Sequence, residues 1–500
     1  MTNAGRGRFW RWGAAGAFLL FALMTQAVKP AGLPPIRAVI VGGGPTREDN
    51  QAAIESNARY VGKLLPADAE RTMLFADGNL NRATVQVEDK PAPLSVGERL
   101  LDLAFYDPDT RDAADIHYRR PNLGVKLDGP ATPDALTDLF SRLTRETAAA
   151  PKPLLLYFTG HGSPGSRRYE NNVYDMWGNK TLSERQLAQQ MARLPENVPV
   201  TLIMVQCHSG GFANLIFEGG WPDGKPITRD FAGFFASEAD RAAAGCTAEA
   251  DEADYRDFTS YFFAALTGRD RLGGQVTGAD YDGDGRVGMN EAFCYTLAND
   301  RSIDTPICAS DIFLRRFAPL SEKALAAVPF RSVHAWATAA QRYALDSLAK
   351  RLHRDRGEKR LTVASRELNS DLPAASGPTR RERKRALNEL RTDAQRALLA
   401  RWPDLRDPAL PDFDLAKTQA VSYLKANAES GKWKTLLAAD DALARLDAAE
   451  DAQDIADAHL QRFVTLGESI IRAHYLRQTA DAATKARFER LIQAEARTPF

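Results

Sequence analysis

The sequence predicts an α/β fold in which a mostly parallel sheet lies between helices, followed by an all-α C-terminal module. Short apolar runs alternate with segments of helical period: "IRAVIVGGG" precedes "AAIESNARYVGKLL", and "KPLLLYFTGHGS" precedes "LSERQLAQQMARL". These runs also lack polar alternation, which is typical of strands covered on both faces. In such open sheets the working groups lie beyond the carboxyl ends of the strands.

The individual elements follow from apolar runs and from helix start signals. "RTMLFADG", "VPVTLIMVQCHSGG" and "FAGFFAS" complete a set of five predicted strands. Thr132 with Pro133 indicates the start of a helix over "ATPDALTDLFSRL", and Ser183 with Gln186 forms a capping box at the next helix. "YRDFTSYFFAALTG" has the length and period of a further helix.

The first residues resemble an export signal. Arg6, Arg8 and Arg11 precede a mostly apolar stretch at residues 13–24, which is short for a bilayer span. We therefore assign residues 1–27 to a signal peptide cleaved after Ala27 and expect a soluble, periplasmic or secreted protein. Membrane contact is expected only if this segment stays uncleaved.

The rest of the chain divides by composition. Residues 28–320 contain the predicted strands, whereas residues 321–500 are rich in Ala, Arg, Leu, Asp and Glu and predict an all-helical C-terminal module with an unidentified partner. "SDLPAASGPT" interrupts that module as a linker, and the basic cluster "RRERKR", residues 380–385, is interpreted as a solvated helix start.

The charge balance and the number of cysteines argue against a nucleic-acid-binding protein and against a disulfide-rich scaffold. Lys and Arg total 65, and Asp and Glu also total 65, so no net field favours nucleic acid as a partner. The four cysteines are too few for a disulfide framework. If Cys207 stays a thiol, at most one intramolecular disulfide can form, and we expect Cys294 with Cys308 because the loop between them is short.

A thiol and an imidazole each follow an apolar strand. Cys207 follows "VTLIMVQ" and His161 follows "LLLYFTG". A nucleophilic cysteine needs an imidazole or a helix N-terminus that favours the thiolate, together with backbone N–H groups for an oxyanion. Gly162, which has no side chain, could bring its N–H close to a substrate carbonyl. Each residue alone could be structural, but together they indicate nucleophilic catalysis.

"LLLYFTGHGS" with "LIMVQCHSGG" resembles the histidine and cysteine signatures of caspase-like cysteine peptidases. "VIVGGGPTREDNQAAIESN" and "FFASEADRAAAG" are most similar to legumain-type peptidases and their bacterial relatives, over residues 36–310. The resemblance implies that Cys207 is the nucleophile, that His161 is the general base or acid, and that Gly162 and Cys207 supply oxyanion N–H groups. It also implies a protein or peptide substrate, with transpeptidation as a variant.

A second motif predicts a calcium site. "DYDGDGRVGMNE", residues 280–291, matches the twelve-residue calcium loop. Asp280, Asp282 and Asp284 take positions one, three and five, Arg286 offers its backbone carbonyl at position seven, and Glu291 closes the loop. The sequence therefore predicts calcium as the cofactor. It leaves one alternative open: a calcium-binding interaction protein of the cell envelope whose caspase-like domain is catalytically degenerate.

Overall fold

The structure is a computed structural model that describes residues 36–89, 93–105, 116–167, 169–352 and 379–498. Pro35–Phe500 form one compact unit. The predicted signal peptide and nearly all of the predicted linker fall outside the described residues. Among the described helices, none combines the length and the apolar character that crossing a membrane requires.

A mostly parallel sheet forms the centre of the described chain. The strands are β1 Arg37–Gly43, β2 Glu70–Phe75, β3 Val85–Glu88, β4 Ile116–Arg119, β5 Leu154–Gly160, β6 Gly162–Ser163, β7 Val173–Met176, β8 Lys180–Ser183, β9 Val200–Met204, β10 Phe231–Phe235 and β11 Ile307–Cys308. Six of them form the main sheet in the order β11-β10-β9-β5-β1-β2, and β11 is antiparallel to β10. The α/β class and the mostly parallel sheet are therefore confirmed.

Helices cover both faces of this sheet. They are α1 Ala52–Leu64, α2 Val96–Phe105, α3 Pro133–Ala149, α4 Glu184–Ala192, α5 Phe258–Thr267, α6 Met289–Asn299, α7 Ala309–Phe317, α8 Glu322–Ala326, α9 Phe330–Trp336, α10 Ala339–Arg351, α11 Arg380–Arg401, α12 Phe413–Asn427, α13 Gly431–Thr479 and α14 Ala482–Glu495. The Thr132 cap of α3 and the Ser183–Gln186 capping box of α4 form as the sequence predicts. Every residue of β1 and β5 is buried, which explains their continuous apolar runs.

The helices after residue 320 share the cores of the sheet. Phe463 and Ile470 of α13 belong to the hydrophobic core on one face, whereas Leu476 of α13 and Phe488 of α14 belong to the core on the other. A third core joins α2 to α11, α12 and the beginning of α13. The C-terminal region is helical as predicted. Its helices α13 and α14 contribute residues to the cores of the sheet.

The basic cluster begins α11. Thr379 and Glu382 form a capping box there, and Arg380 forms an ion pair with Asp447 of α13 at 2.7 Å. Its side chains are mostly exposed, in agreement with the interpretation as a solvated helix start. One acidic partner of the cluster is thus α13 of the same chain.

The expected Cys294–Cys308 disulfide is wrong, because all four cysteines are free thiols. Cys294 lies within α6 and Cys308 ends β11, and both are buried. The Cys308 thiol instead donates to Asp311 Oδ2 at 3.3 Å and contacts Ser310 Oγ at 3.2 Å. The two cysteines are close in sequence, but their separation carries no information on the directions in which their side chains point.

Candidate active site

The two central strands bring His161 and Cys207 to one edge of the sheet. β5 and β9 are parallel neighbours in which Phe158 pairs with Met204, and Val205 N donates to Phe158 O at 3.1 Å. His161 lies three residues beyond Phe158, and Cys207 lies three residues beyond Met204. The two residues therefore take matching positions past the carboxyl ends of adjacent strands, where parallel sheets carry their functional groups.

Gly162 lies directly against Cys207. A Cβ atom added to Gly162 would be 2.2 Å from Cys207 O and 2.6 Å from Gln206 Cγ. Only glycine fits this close approach of two backbone segments. Asp175 N donates to His161 O at 3.0 Å, so His161 and Asp175 form the hydrogen-bonded pair of the β6–β7 ladder, and the next residue, Gly162, directs its N–H away from β7. The Gly162 N–H therefore lies outside the β6–β7 pairing.

The His161 ring is held by the loop that follows β1. Its Nε2 lies 2.9 Å from Asp49 O and 2.8 Å from Gln51 Oε1. A backbone carbonyl can only accept, so Nε2 carries the proton and Nδ1 is left as the basic nitrogen. This arrangement fixes the ring orientation that a general base requires.

The Cys207 sulphur is held by the loop that follows β10. Ala243 N donates to Cys207 Sγ at 3.3 Å, and Sγ lies 3.7 Å from Ala243 O. Burial raises the pKa of the Cys207 thiol, while the Ala243 N–H acts in the opposite direction. The described hydrogen bonds of His161 and Cys207 do not join the two side chains. Burial therefore disfavours the thiolate form of Cys207.

Asp175 and His208 are further titratable groups near this pair. Ser163 Oγ donates to Asp175 Oδ2 at 2.7 Å, and burial raises the pKa of Asp175, although nearby His161 and His208 act against that rise. His208 adopts a left-handed conformation with φ of 60°. Its Nδ1 lies 3.0 Å from Ala239 O, and its ring stacks on Tyr169. These contacts hold the His208 ring, so we do not assign His208 as the general base.

The predicted calcium loop brings its acidic ligands together. One carboxylate oxygen from each of Asp280, Asp282 and Asp284 lies within 4.8 Å of the others. Asp280 accepts from the backbone N–H groups of Gly283 and Gly285, both of which have positive φ. The loop therefore turns its aspartate oxygens inward, which is what a hard cation requires.

The remaining predicted ligands lie at the end of this loop. Glu291 is buried, and its carboxylate accepts from Tyr281 N at 2.7 Å and Gly288 N at 2.9 Å. Arg286 N donates to Asp284 Oδ1 at 2.8 Å. This hydrogen bond holds the peptide unit that precedes the Arg286 carbonyl. Glu291 thus ties the two ends of the loop to the first turn of α6.

Several residues at the site were not predicted from the sequence. Asp49 and Gln51 orient His161, and Ala243 contacts the thiol. The polar segment "PTREDNQ" after β1 could have indicated Asp49 and Gln51, because β1 is the neighbour of β5, the strand that precedes His161. Nothing in the sequence distinguishes Ala243 from the alanines around it.

No protein-family model matches this chain, and no curated protein matches it either. The geometry of the site therefore carries the functional argument.

Proposed function

We propose that this chain is a caspase-like cysteine endopeptidase that hydrolyses peptide bonds through a thioester on Cys207. One observation carries the proposal. His161 and Cys207 take matching positions beyond adjacent central strands, and Gly162 lies so close to Cys207 that no side chain fits between them. This arrangement supports Cys207 as the nucleophile, His161 as the base and Gly162 as an oxyanion donor.

The chemistry follows from the hydrogen bonds of each group. Nδ1 of His161 accepts the thiol proton, and the resulting Cys207 thiolate attacks the substrate carbonyl carbon. The carbonyl oxygen takes up the negative charge and receives N–H groups of Gly162 and Cys207. His161 then protonates the leaving amine, a thioester remains, and water attacks it with His161 again as the base. An amine in place of water would give transpeptidation.

Substrate binding must activate the thiol, because burial raises the pKa of Cys207 in the resting protein. The same observation favours the alternative, a degenerate caspase-like interaction protein that binds calcium at the cell envelope. The alternative predicts a slow, ordinary thiol at position 207.

Labelling of Cys207 distinguishes the two functions. A peptidyl electrophile with a carbonyl next to its reactive carbon should label wild-type Cys207 far faster than iodoacetamide does. His161→Ala should reduce the peptidyl reaction toward the rate of iodoacetamide. His208→Ala is the matched control, because it also removes an imidazole near Cys207 but leaves the proposed base in place. Equal peptidyl labelling of wild type and His161→Ala would support the degenerate scaffold.

We also propose calcium as a structural cofactor in the loop at residues 280–291. The converging carboxylates of Asp280, Asp282 and Asp284 support this, and Arg286 would add its carbonyl. For Glu291 to close the site, its carboxylate would exchange backbone donors for the ion.

The arginine-flanked apolar start supports export, so we propose the periplasm or the medium as the location of the protein.

A further inference from the structure

We infer that helix α13 positions the Cys207 thiol through Arg462 and Asp304, a role that rests on the proposed function. Arg462 is 1% exposed, although arginine is seldom fully buried. It lies far along the chain from the site and takes no part in the proposed chemistry. Its contacts, however, lead by hydrogen bonds to the loop that touches the sulphur.

The first part of this connection joins α13 to the loop before β11. Arg462 donates from Nε to Asp304 O at 2.6 Å, from Nη1 to Asp300 O at 2.7 Å and from Nη2 to Ser302 O at 2.9 Å. Its guanidinium also lies 3.3 Å from Asp300 Oδ2. His459, one helical turn earlier, contacts Asp300 O at 3.1 Å. The planar guanidinium thus fixes three carbonyls of one loop, which a lysine ammonium cannot reproduce.

The second part joins that loop to the thiol. Asp304 is fully buried, and its carboxylate accepts from Ala244 N at 2.6 Å and from Phe258 N at 2.9 Å. Ala243, the residue before Ala244, contacts Cys207 through both N and O. Asp304 therefore fixes the peptide unit that contains the Ala243 carbonyl, which accepts from the thiol, and the Ala243 N–H of the neighbouring peptide unit donates to the sulphur.

The C-terminal region offers a matched control. Arg487 of α14 is also buried and also donates to backbone carbonyls, to Thr228 O at 3.1 Å and Arg229 O at 3.4 Å. These carbonyls precede β10, at the amino end of the strand and therefore at the edge of the sheet opposite to Cys207. Losing Arg487 should weaken the packing of α14 without reaching the thiol.

The test uses the mature protein with Arg462→Lys or Arg487→Lys. Alkylation of Cys207 by iodoacetamide is followed by peptide mass spectrometry across the pH range, together with thermal unfolding. Arg462→Lys should move the alkylation midpoint to higher pH and slow the reaction at neutral pH by about tenfold, the effect of one lost hydrogen bond to the thiolate. Arg487→Lys should lower the melting temperature only.

Three outcomes would overturn the inference: an unchanged midpoint in Arg462→Lys, a midpoint that falls, or an equal upward shift in Arg487→Lys. If Arg462→Lys does not fold, Asp304→Asn replaces it, because it removes one acceptor from the Ala244 and Phe258 N–H groups. Its midpoint should also rise; a fall would mean that the charge of Asp304, and not the placement of Ala243, governs the thiol.

This readout needs no substrate. If the wild type cleaved no peptide while Arg462→Lys still moved the midpoint, the proposed function would fail, and only the effect of α13 on the Cys207 thiol would stand.

Discussion

Substituting Gly162 with alanine should lower the rate of peptide hydrolysis through a steric effect. The added Cβ would lie 2.2 Å from Cys207 O, whereas non-bonded atoms pack near 3.5 Å, so the two segments must separate by roughly 1 Å. A displacement of this size at reacting groups can lower the rate about 100-fold. Overpacking of this kind also lowers the free energy of unfolding by about 1–3 kcal/mol.

The assay is peptide hydrolysis by the folded fraction, with chemical denaturation to measure stability. Gly62→Ala is the matched control, because its Cβ would meet Met73 and Val125 at an ordinary 3.5 Å. That change lies within α1 and should leave kcat unchanged, with equal or slightly higher stability. A Gly162→Ala protein with wild-type kcat would refute the close approach of Gly162 and Cys207 as the basis of the site.

Three further predictions concern other parts of the chain. Calcium should raise the melting temperature of chelator-treated wild type, and Glu291→Ala should remove that increment; an unchanged wild-type melt at millimolar calcium would refute the site. Burial raises the pKa of Glu495 to about 8, so stability should fall by up to about 1.4 kcal/mol per pH unit between the unfolded value near 4.3 and pH 8. Denaturation from pH 5 to 8 should show this fall in wild type and a flatter profile in Glu495→Gln, and equal slopes would contradict the assignment. N-terminal sequencing of protein from its native host should find a start near Val28; an intact Met1 in a cytosolic fraction would contradict export.

The elements of the sheet could be predicted because their signals are local. β1 and β5 are buried throughout and are apolar at most positions, and Thr132 and Ser183 cap helices through contacts within a few residues. The position of His161 relative to Cys207 followed from the same local signals, since parallel strands align their carboxyl ends.

The contacts that complete the site depend on long-range packing. Ala243 reaches Cys207 from the loop after β10, and Arg462 contacts Asp304, 158 residues earlier in the chain, in a different loop. No periodicity or motif in the sequence predicts these long-range contacts. The disulfide prediction was wrong for the same reason, because Cys294 and Cys308 are near in sequence but their side chains are directed by α6 and β11.

Hydrolysis of a peptide library by purified Cys207→Ala tests the central claim most directly. Cys246→Ser is the matched thiol variant, because a serine hydroxyl can still donate to Gly160 O, which Cys246 Sγ contacts at 3.3 Å. The account predicts cleavage by wild type and by Cys246→Ser, and no cleavage by Cys207→Ala, which should unfold at a temperature close to that of wild type. Cleavage by Cys207→Ala at the wild-type rate would contradict it.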